Sequence, residues 1–192
     1  MRLFLILGLL FLKTTVYGQF TIGVKIGGIA FHQQPVSPNY YKWSIDKNGR
    51  FVRFAGFSIT AGYHFNPFIG VKVIQTILSY DCAGKFSGIT HIGVDFHDDI
   101  IGIKNERHQL SASFGPLFYY RKNWKSVPHY YVDEGFMNPS KNDQWERKFV
   151  WYAGQIQYDF YWNPREAIST NFLPGFPYIY TFITGYQISI NE

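Results

Sequence analysis

The chain lacks the features that define several common classes of small protein. Its 192 residues contain one cysteine, Cys82, so no internal disulfide can form. Charged residues make up only 16%, whereas an ordinary soluble domain has about 25%. No apolar run reaches the roughly 20 residues that a transmembrane helix needs. These shortages exclude a disulfide framework and a helical membrane protein, and they argue against an ordinary water-facing surface.

The positive charge of the chain does not indicate nucleic-acid binding. The formal net charge is +5, but Lys and Arg are scattered among Asp and Glu in segments that resemble loops. A nucleic-acid site would concentrate basic residues on one face or in one run. We interpret the excess as solvated loop charge, which also suits contact with anionic lipid head groups.

The composition is rich in aromatic residues without being hydrophobic on average. Phe, Tyr and Trp make up 20% of the chain, yet the mean hydropathy is -0.13. Strands that place alternate residues against lipid and against a polar interior give this combination. The composition therefore favours a β-structure over helices.

The N-terminus has the three parts of a secretory signal peptide. Met1 and Arg2 form a short positive start, and an apolar run over 3–12 follows. Val16 and Gly18 are the small residues that precede a cleavage site. We therefore predict a signal peptide over 1–18, removed before Gln19, and a single domain over 19–192.

The rest of the chain alternates between apolar and polar residues with a period of two, as β-strands with two different faces do. In 51–65, for example, Phe57, Ile59 and Tyr63 fall on one face, and Ser58 and Thr60 fall on the other. Each alternating segment has about the length that crosses a membrane as a tilted strand. The predicted strands are 20–32, 51–65, 68–80, 86–96, 108–120, 148–162, 166–173 and 178–190.

The connections between these segments alternate in length. Asn66-Pro67 and Asn163-Pro164 predict tight turns, because both residue types favour turns. The segments 33–50 and 121–147 predict long polar loops. With a periplasmic N-terminus, both long loops lie outside and both Asn-Pro turns lie in the periplasm, which is typical of outer-membrane barrels. The connection over 97–107 is longer than this scheme requires.

The polar face distinguishes a membrane barrel from a soluble one. It consists mainly of Gly, Ser, Thr and Gln with few charges, which suits the inside of a narrow barrel. The chain thus resembles the small eight-stranded outer-membrane barrels of the OmpA-barrel and OmpX type. The resemblance implies an all-β fold, an eight-stranded antiparallel up-and-down transmembrane barrel with a filled interior, in the outer membrane of a Gram-negative bacterium. A lipocalin-like soluble ligand-binding barrel is the alternative.

Several ionisable residues are predicted to face the interior, and they indicate a salt-bridge network, since buried charges are costly unless paired. Lys72 and Asp95, on neighbouring strands, are the pair most expected to touch. A metal site could be formed by residues on one strand face, namely His91, Asp95, His97 and Asp99, whereas Asp98 lies on the other face. Such spacing is only a weak signal of metal binding. We predict no metal site and no cofactor. The interior set is Lys25, Lys72, Asp95, Asp159, His64 and His91.

The sequence predicts a structural or surface-interaction role, with no sizeable pore and no catalytic residues. Aromatic residues in the two long loops suit either recognition of a partner or anchoring at the membrane interface. The expected partners are outer-membrane lipid, lipopolysaccharide and an extracellular protein, and the expected oligomeric state is a monomer. The candidate loop contacts are Tyr40, Tyr41, Trp43, Trp124, Tyr130, Tyr131 and Trp145.

A second hypothesis is a lipid A-modifying enzyme, either an acyltransferase or a deacylase. Such barrels place a His, an acid and a nucleophilic side chain at the outer rim. Here His32 ends the first strand, and Ser79, Asp81 and Cys82 end the third. A Ser or Cys beside a His can act as a nucleophile.

Overall fold

The computed structural model describes residues 18–32, 42–80, 83–97, 107–127, 144–175 and 179–191. Within these ranges the chain forms eight strands and one short 3-10 turn, Trp124–Ser126. No helix in the described ranges has the length and hydropathy needed to cross a membrane. The strands are β1 Gln19–His32, β2 Phe51–His64, β3 Ile69–Tyr80, β4 Phe86–His97, β5 His108–Lys122, β6 Trp145–Asn163, β7 Glu166–Gly175 and β8 Ile179–Asn191.

The strands form one closed barrel in chain order. Each strand pairs antiparallel with the next, and β8 pairs with β1 to close the sheet, with Tyr186 opposite Val24. Closure leaves no free sheet edge along the seam. The predicted fold class is therefore confirmed, although β6 begins at Trp145 and not at residue 148. The predicted signal peptide lies almost wholly in 1–17, outside the described residues, and stays a prediction.

The two faces of each strand have opposite polarity, as the alternation predicted. On β2, Ser58, Thr60 and His64 are buried in the barrel. Their neighbours Ile59 and Tyr63 point outward and are 39% and 43% exposed. The protein is therefore apolar outside and polar inside, the reverse of a soluble globular protein.

This reversed polarity holds around the whole barrel and decides between the two barrel classes. Large apolar side chains are exposed on every strand, far beyond the patches that soluble monomers tolerate. The lipocalin-like alternative is therefore wrong, because such a barrel keeps its apolar side chains inside. Representative exposed residues, one per strand, are Ile22, Ile59, Val71, Ile92, Phe114, Ile156, Ile168 and Ile188.

Both Asn-Pro turns are stabilised by the asparagine side chain. Asn66 Oδ1 accepts hydrogen bonds from the backbone N–H groups of Phe68 and Ile69, both at 2.8 Å. Asn163 Oδ1 accepts from the N–H groups of Arg165 and Glu166, both at 2.9 Å. The asparagine side chain therefore supplies the hydrogen-bond acceptor that stabilises each chain reversal, which is why asparagine favours such turns.

A β-bulge in β6 changes which residues face outward. Gly115 of β5 pairs with Ala153, but Leu117 pairs with Val150, so β6 holds an extra residue at this point. Trp151 and Tyr152 both point outward there and are 77% and 85% exposed. Strict alternation over 148–162 would place Val150 on the same face as Tyr152, but the bulge puts the two residues on different faces.

Candidate functional site

The lumen of the barrel is the largest collection of buried polar groups in the described part of the chain. Its side chains come from all eight strands and include both ionised residues and amides. All six residues predicted to face the interior are buried: Lys25, Lys72, Asp95, Asp159, His64 and His91. They fall into separate groups and do not form one continuous salt-bridge network.

The first group is centred on Asp95. Lys72 Nζ lies 2.8 Å from Asp95 Oδ1 and 2.8 Å from Oδ2. The same ammonium donates to Ser111 Oγ at 3.3 Å. Asp95 is 0% and Lys72 is 2% exposed, so neither charge is compensated by bulk water. The pairing of these two residues is the interaction that makes their burial tolerable.

Two glycines lie directly opposite the two members of this ion pair. In the β3–β4 register, Gly93 lies opposite Lys72 and Gly70 lies opposite Asp95. A Cβ at position 93 would meet Ser113 Oγ at 2.2 Å, and a Cβ at position 70 would meet His64 Cδ2 at 2.5 Å. A side chain at either position would therefore collide with residues that surround the ion pair.

Two histidines complete the Asp95 group at the end of the lumen that holds both Asn-Pro turns, which the sequence predicts to be periplasmic. His97 Nε2 lies 3.2 Å from Asp95 Oδ2, and His64 Nε2 lies 3.7 Å from the same oxygen. The two Nε2 atoms are 3.1 Å apart. On its other side, His97 Nδ1 lies 2.7 Å from Gln109 Nε2, and Tyr161 donates to Gln109 Oε1 at 3.0 Å.

The second group surrounds Lys25, whose direct partners among the described residues are amides. Lys25 Nζ donates to Gln157 Oε1 at 2.9 Å and to Asn171 Oδ1 at 2.6 Å. Gln157 Nε2 then donates to Asp159 Oδ1 and Oδ2, at 2.9 and 2.8 Å, and to Gln187 Oε1 at 2.9 Å. Lys25 and Asp159 are therefore connected through the Gln157 side-chain amide and not by direct contact.

His91 stands apart from both charged groups. Its Nδ1 lies 3.1 Å from the Pro116 carbonyl oxygen, and its Nε2 lies 3.1 Å from Ser113 Oγ. Both ring nitrogens are thus engaged by neutral groups of β5. His91 belongs to the lumen, as predicted from its strand face, but it does not approach the donor atoms of His97 and Asp95 with which the sequence grouped it.

The histidine that does converge with Asp95 and His97 is His64. One donor atom from each of these three residues lies within 4.8 Å of the others. Strand alternation alone does not indicate this grouping, because His64 and His97 belong to β2 and β4, with β3 between them. The strand register is the signal that could have found it: His64 pairs with Gly70, and Gly70 pairs with Asp95.

At the opposite rim, which the sequence predicts to be extracellular, two of the predicted loop aromatics pack against the barrel. Trp124 is 9% exposed, and the Arg121 guanidinium lies 4.3 Å from its ring centroid. Arg121 Nε also donates to Glu146 Oε2 at 2.6 Å. Trp145 lies in β6, with its ring centroid 5.7 Å from that of Phe86. Both tryptophans therefore stabilise the rim.

Other predicted site residues are described in part or not at all. Trp43 is half-buried, and its carbonyl accepts from the Arg53 backbone N–H at 3.0 Å. The side chains of His32 and Ser79 lie outside what the structure describes, so the enzyme hypothesis stays a prediction. The residues entirely outside the described ranges are Tyr40, Tyr41, Asp81, Cys82, Asp98, Asp99, Tyr130 and Tyr131.

A closed barrel of eight antiparallel strands, with apolar side chains outside and buried polar side chains inside, is a small transmembrane β-barrel of the outer-membrane type. This class follows from the strand closure and the exposure pattern together.

Comparison with known proteins gives fold-level likenesses. No family model and no curated protein matches the chain. Ail of Yersinia pestis, crystallised with the heparin analogue sucrose octasulfate, is 15% identical, with a TM-score of 0.48 over 91% of this chain and 100% of that one. The outer membrane protein OprG of Pseudomonas aeruginosa is 14% identical, with a TM-score of 0.49 over 91% and 97%. Neisserial surface protein A is 8% identical, with a TM-score of 0.47 over 92% and 99%.

The coupling between Lys72 and Asp95 can be measured with a double-mutant cycle. Asp95→Ala leaves Lys72 buried without its carboxylate, and we expect a loss of up to about 3–5 kcal/mol in the free energy of unfolding. Combining it with Lys72→Met removes the uncompensated charge and recovers part of that loss. Urea unfolding of the barrel in detergent gives both values. A coupling free energy of zero within error would show that the two side chains do not interact.

Proposed function

We propose that this protein is an outer-membrane barrel of a Gram-negative bacterium, exported with residues 1–18 as a cleaved signal peptide. Its role is structural or one of surface interaction, exerted through the extracellular loops, and it has no sizeable pore. The observation that carries the proposal is the combination of a lumen crossed by hydrogen-bonded side chains with an exposed, basic extracellular rim.

Hydrogen bonds across the lumen support the absence of a pore. Lys25 projects from β1 and reaches Gln157 of β6 and Asn171 of β7. Near the periplasmic end, His97 Nε2 of β4 lies 3.1 Å from His64 Nε2 of β2. Side chains from strands that are not neighbours therefore meet at two levels, and eight strands enclose only enough space for such filling.

Planar-bilayer recording tests this part of the proposal. We expect the reconstituted barrel to add no conductance steps to the bilayer, because an ion would have to displace buried side chains that are hydrogen-bonded to each other. A general porin reconstituted by the same procedure is the positive control. Stable steps of porin size from this protein would contradict a filled lumen.

Charge on the extracellular side supports a partner that carries negative charge. The described part of the rim has six exposed basic residues: Lys42, Lys47, Arg50, Arg53, Lys125 and Arg147. Asp46 is tied into the turn that bears Lys47, since its Oδ1 accepts from the Phe51 backbone N–H at 2.8 Å. This hydrogen bond lowers the pKa of Asp46. The phosphate groups of lipopolysaccharide are the nearest anions that such a rim meets in an outer membrane.

Binding of lipopolysaccharide tests the surface role. We expect Lys47→Gln with Arg50→Gln to weaken binding of the detergent-purified barrel to lipopolysaccharide and to reduce the salt dependence of that binding. The periplasmic pair Arg107→Gln with Arg165→Gln removes the same charge at the opposite end and is the matched control. Equal binding by both double variants would contradict a specific role for the extracellular rim.

A further inference from the structure

We propose that His64, Asp95 and His97 form a binding site for a divalent transition-metal ion at the periplasmic end of the lumen. Zinc suits this donor set. Two imidazole nitrogens and one carboxylate oxygen are the protein ligands of many zinc centres that keep a position open for water. The site is separate from the extracellular rim, so it does not depend on the surface role.

The spacing of the three donor atoms matches the corners of one coordination shell. The separations are 3.1 Å between the two Nε2 atoms, 3.2 Å from His97 Nε2 to Asp95 Oδ2 and 3.7 Å from His64 Nε2 to the same oxygen. Tetrahedral zinc with bonds of about 2.0–2.1 Å places its ligands about 3.3 Å apart. An ion can therefore be bound with shifts of only a few tenths of an ångström.

The two histidines point the same ring nitrogen at one another. Neutral imidazole carries one proton, so the contact between the two Nε2 atoms is a hydrogen bond only when one of them is the donor. A metal ion between them accepts both lone pairs at once. The planes of the two imidazole rings are inclined at 66°, and their centroids lie 4.1 Å apart. The imidazoles are therefore already packed against each other before an ion enters.

Gln109 provides the outer contact that a metal-bound histidine requires. A histidine that binds metal through Nε2 carries its proton on Nδ1 and donates it to a neighbouring acceptor. The Gln109 amide lies 2.7 Å from His97 Nδ1. Half a turn of that amide presents its oxygen to Nδ1 and its NH2 group to the Tyr161 hydroxyl. The same three residues therefore support both the empty and the occupied arrangement.

Lys72 competes with a metal ion for the carboxylate of Asp95. Its ammonium lies 2.8 Å from the Asp95 oxygen that the ion would use. This charge keeps Asp95 compensated when no metal is bound, and it opposes a divalent cation when one arrives. Access is from the periplasmic end, where the side chains of His64 and His97 retain 10% and 5% exposure beside the Asn66 turn.

Cobalt(II) binding to the untagged barrel, refolded in detergent without chelator, tests the site. We expect one Co²⁺ per barrel, with visible absorption typical of a low coordination number and displacement by Zn²⁺. His64→Gln and His97→Gln should each weaken binding at least tenfold, because each removes one of three protein ligands. His91→Gln is the matched control, since His91 is also buried in the lumen but is engaged by Ser113 and Pro116. It should bind as the unaltered protein does.

Lys72→Met gives a test that a folding defect cannot imitate. Removing the competing ammonium should tighten Co²⁺ and Zn²⁺ binding at least tenfold and increase the thermal stabilisation that Zn²⁺ produces. Heat-modifiable gel mobility verifies folding of each variant. The proposal is overturned if the unaltered barrel takes up no Co²⁺, if the His64 and His97 variants bind as tightly as the His91 variant, or if Lys72→Met leaves affinity unchanged or lower.

Discussion

The structure depends on one constraint: inside a bilayer, every backbone N–H and C=O group must find its partner within the protein. Pairing of β8 with β1 meets this requirement by closing the sheet. Closure in turn determines the two environments that the faces of each strand contact. One face meets hydrocarbon and carries Ile, Val and Phe, and the other meets a narrow lumen that eight strands cannot leave empty.

The filling of that lumen explains the distribution of small and polar residues. Asp95 and Lys72 are buried together, and removing either leaves a charge that the interior does not solvate. Gly70 and Gly93 stand opposite them because a larger residue would collide with the ring of His64 or with Ser113. The ion pair, the glycines and the histidines therefore pack together as one unit in the lumen. The three-residue metal site proposed at the periplasmic end of the lumen uses atoms that this packing already brings together.

Features set by local strand geometry could be predicted from the sequence. Alternation identified the buried face of β2, and adjacency of β3 and β4 in the chain indicated the contact between Lys72 and Asp95. Turn chemistry identified the Asn66 turn. Each of these depends on residues within one strand or in two strands joined by a short connection.

Features set by closure and by irregular pairing could not be predicted in the same way. Lys25 reaches Gln157 and Asn171 because closure of the barrel places β1 across the lumen from β6 and β7, which period-two alternation does not encode. His64 meets His97 across an intervening strand. Val150 is displaced because β6 has an extra residue relative to β5. Trp124, placed in a loop by its polar surroundings, is buried under Arg121.

The most direct test of the central claim is a spin-label scan along β2 in lipid bilayers, in a background where Cys82 is replaced. Single labels at positions 57–64 report access of oxygen, which concentrates in hydrocarbon. The inside-out barrel predicts access that alternates with a period of two, with maxima at 57, 59, 61 and 63 and minima at 58, 60, 62 and 64. Maxima at the even positions, or no alternation, would contradict a barrel with an apolar exterior and a polar lumen.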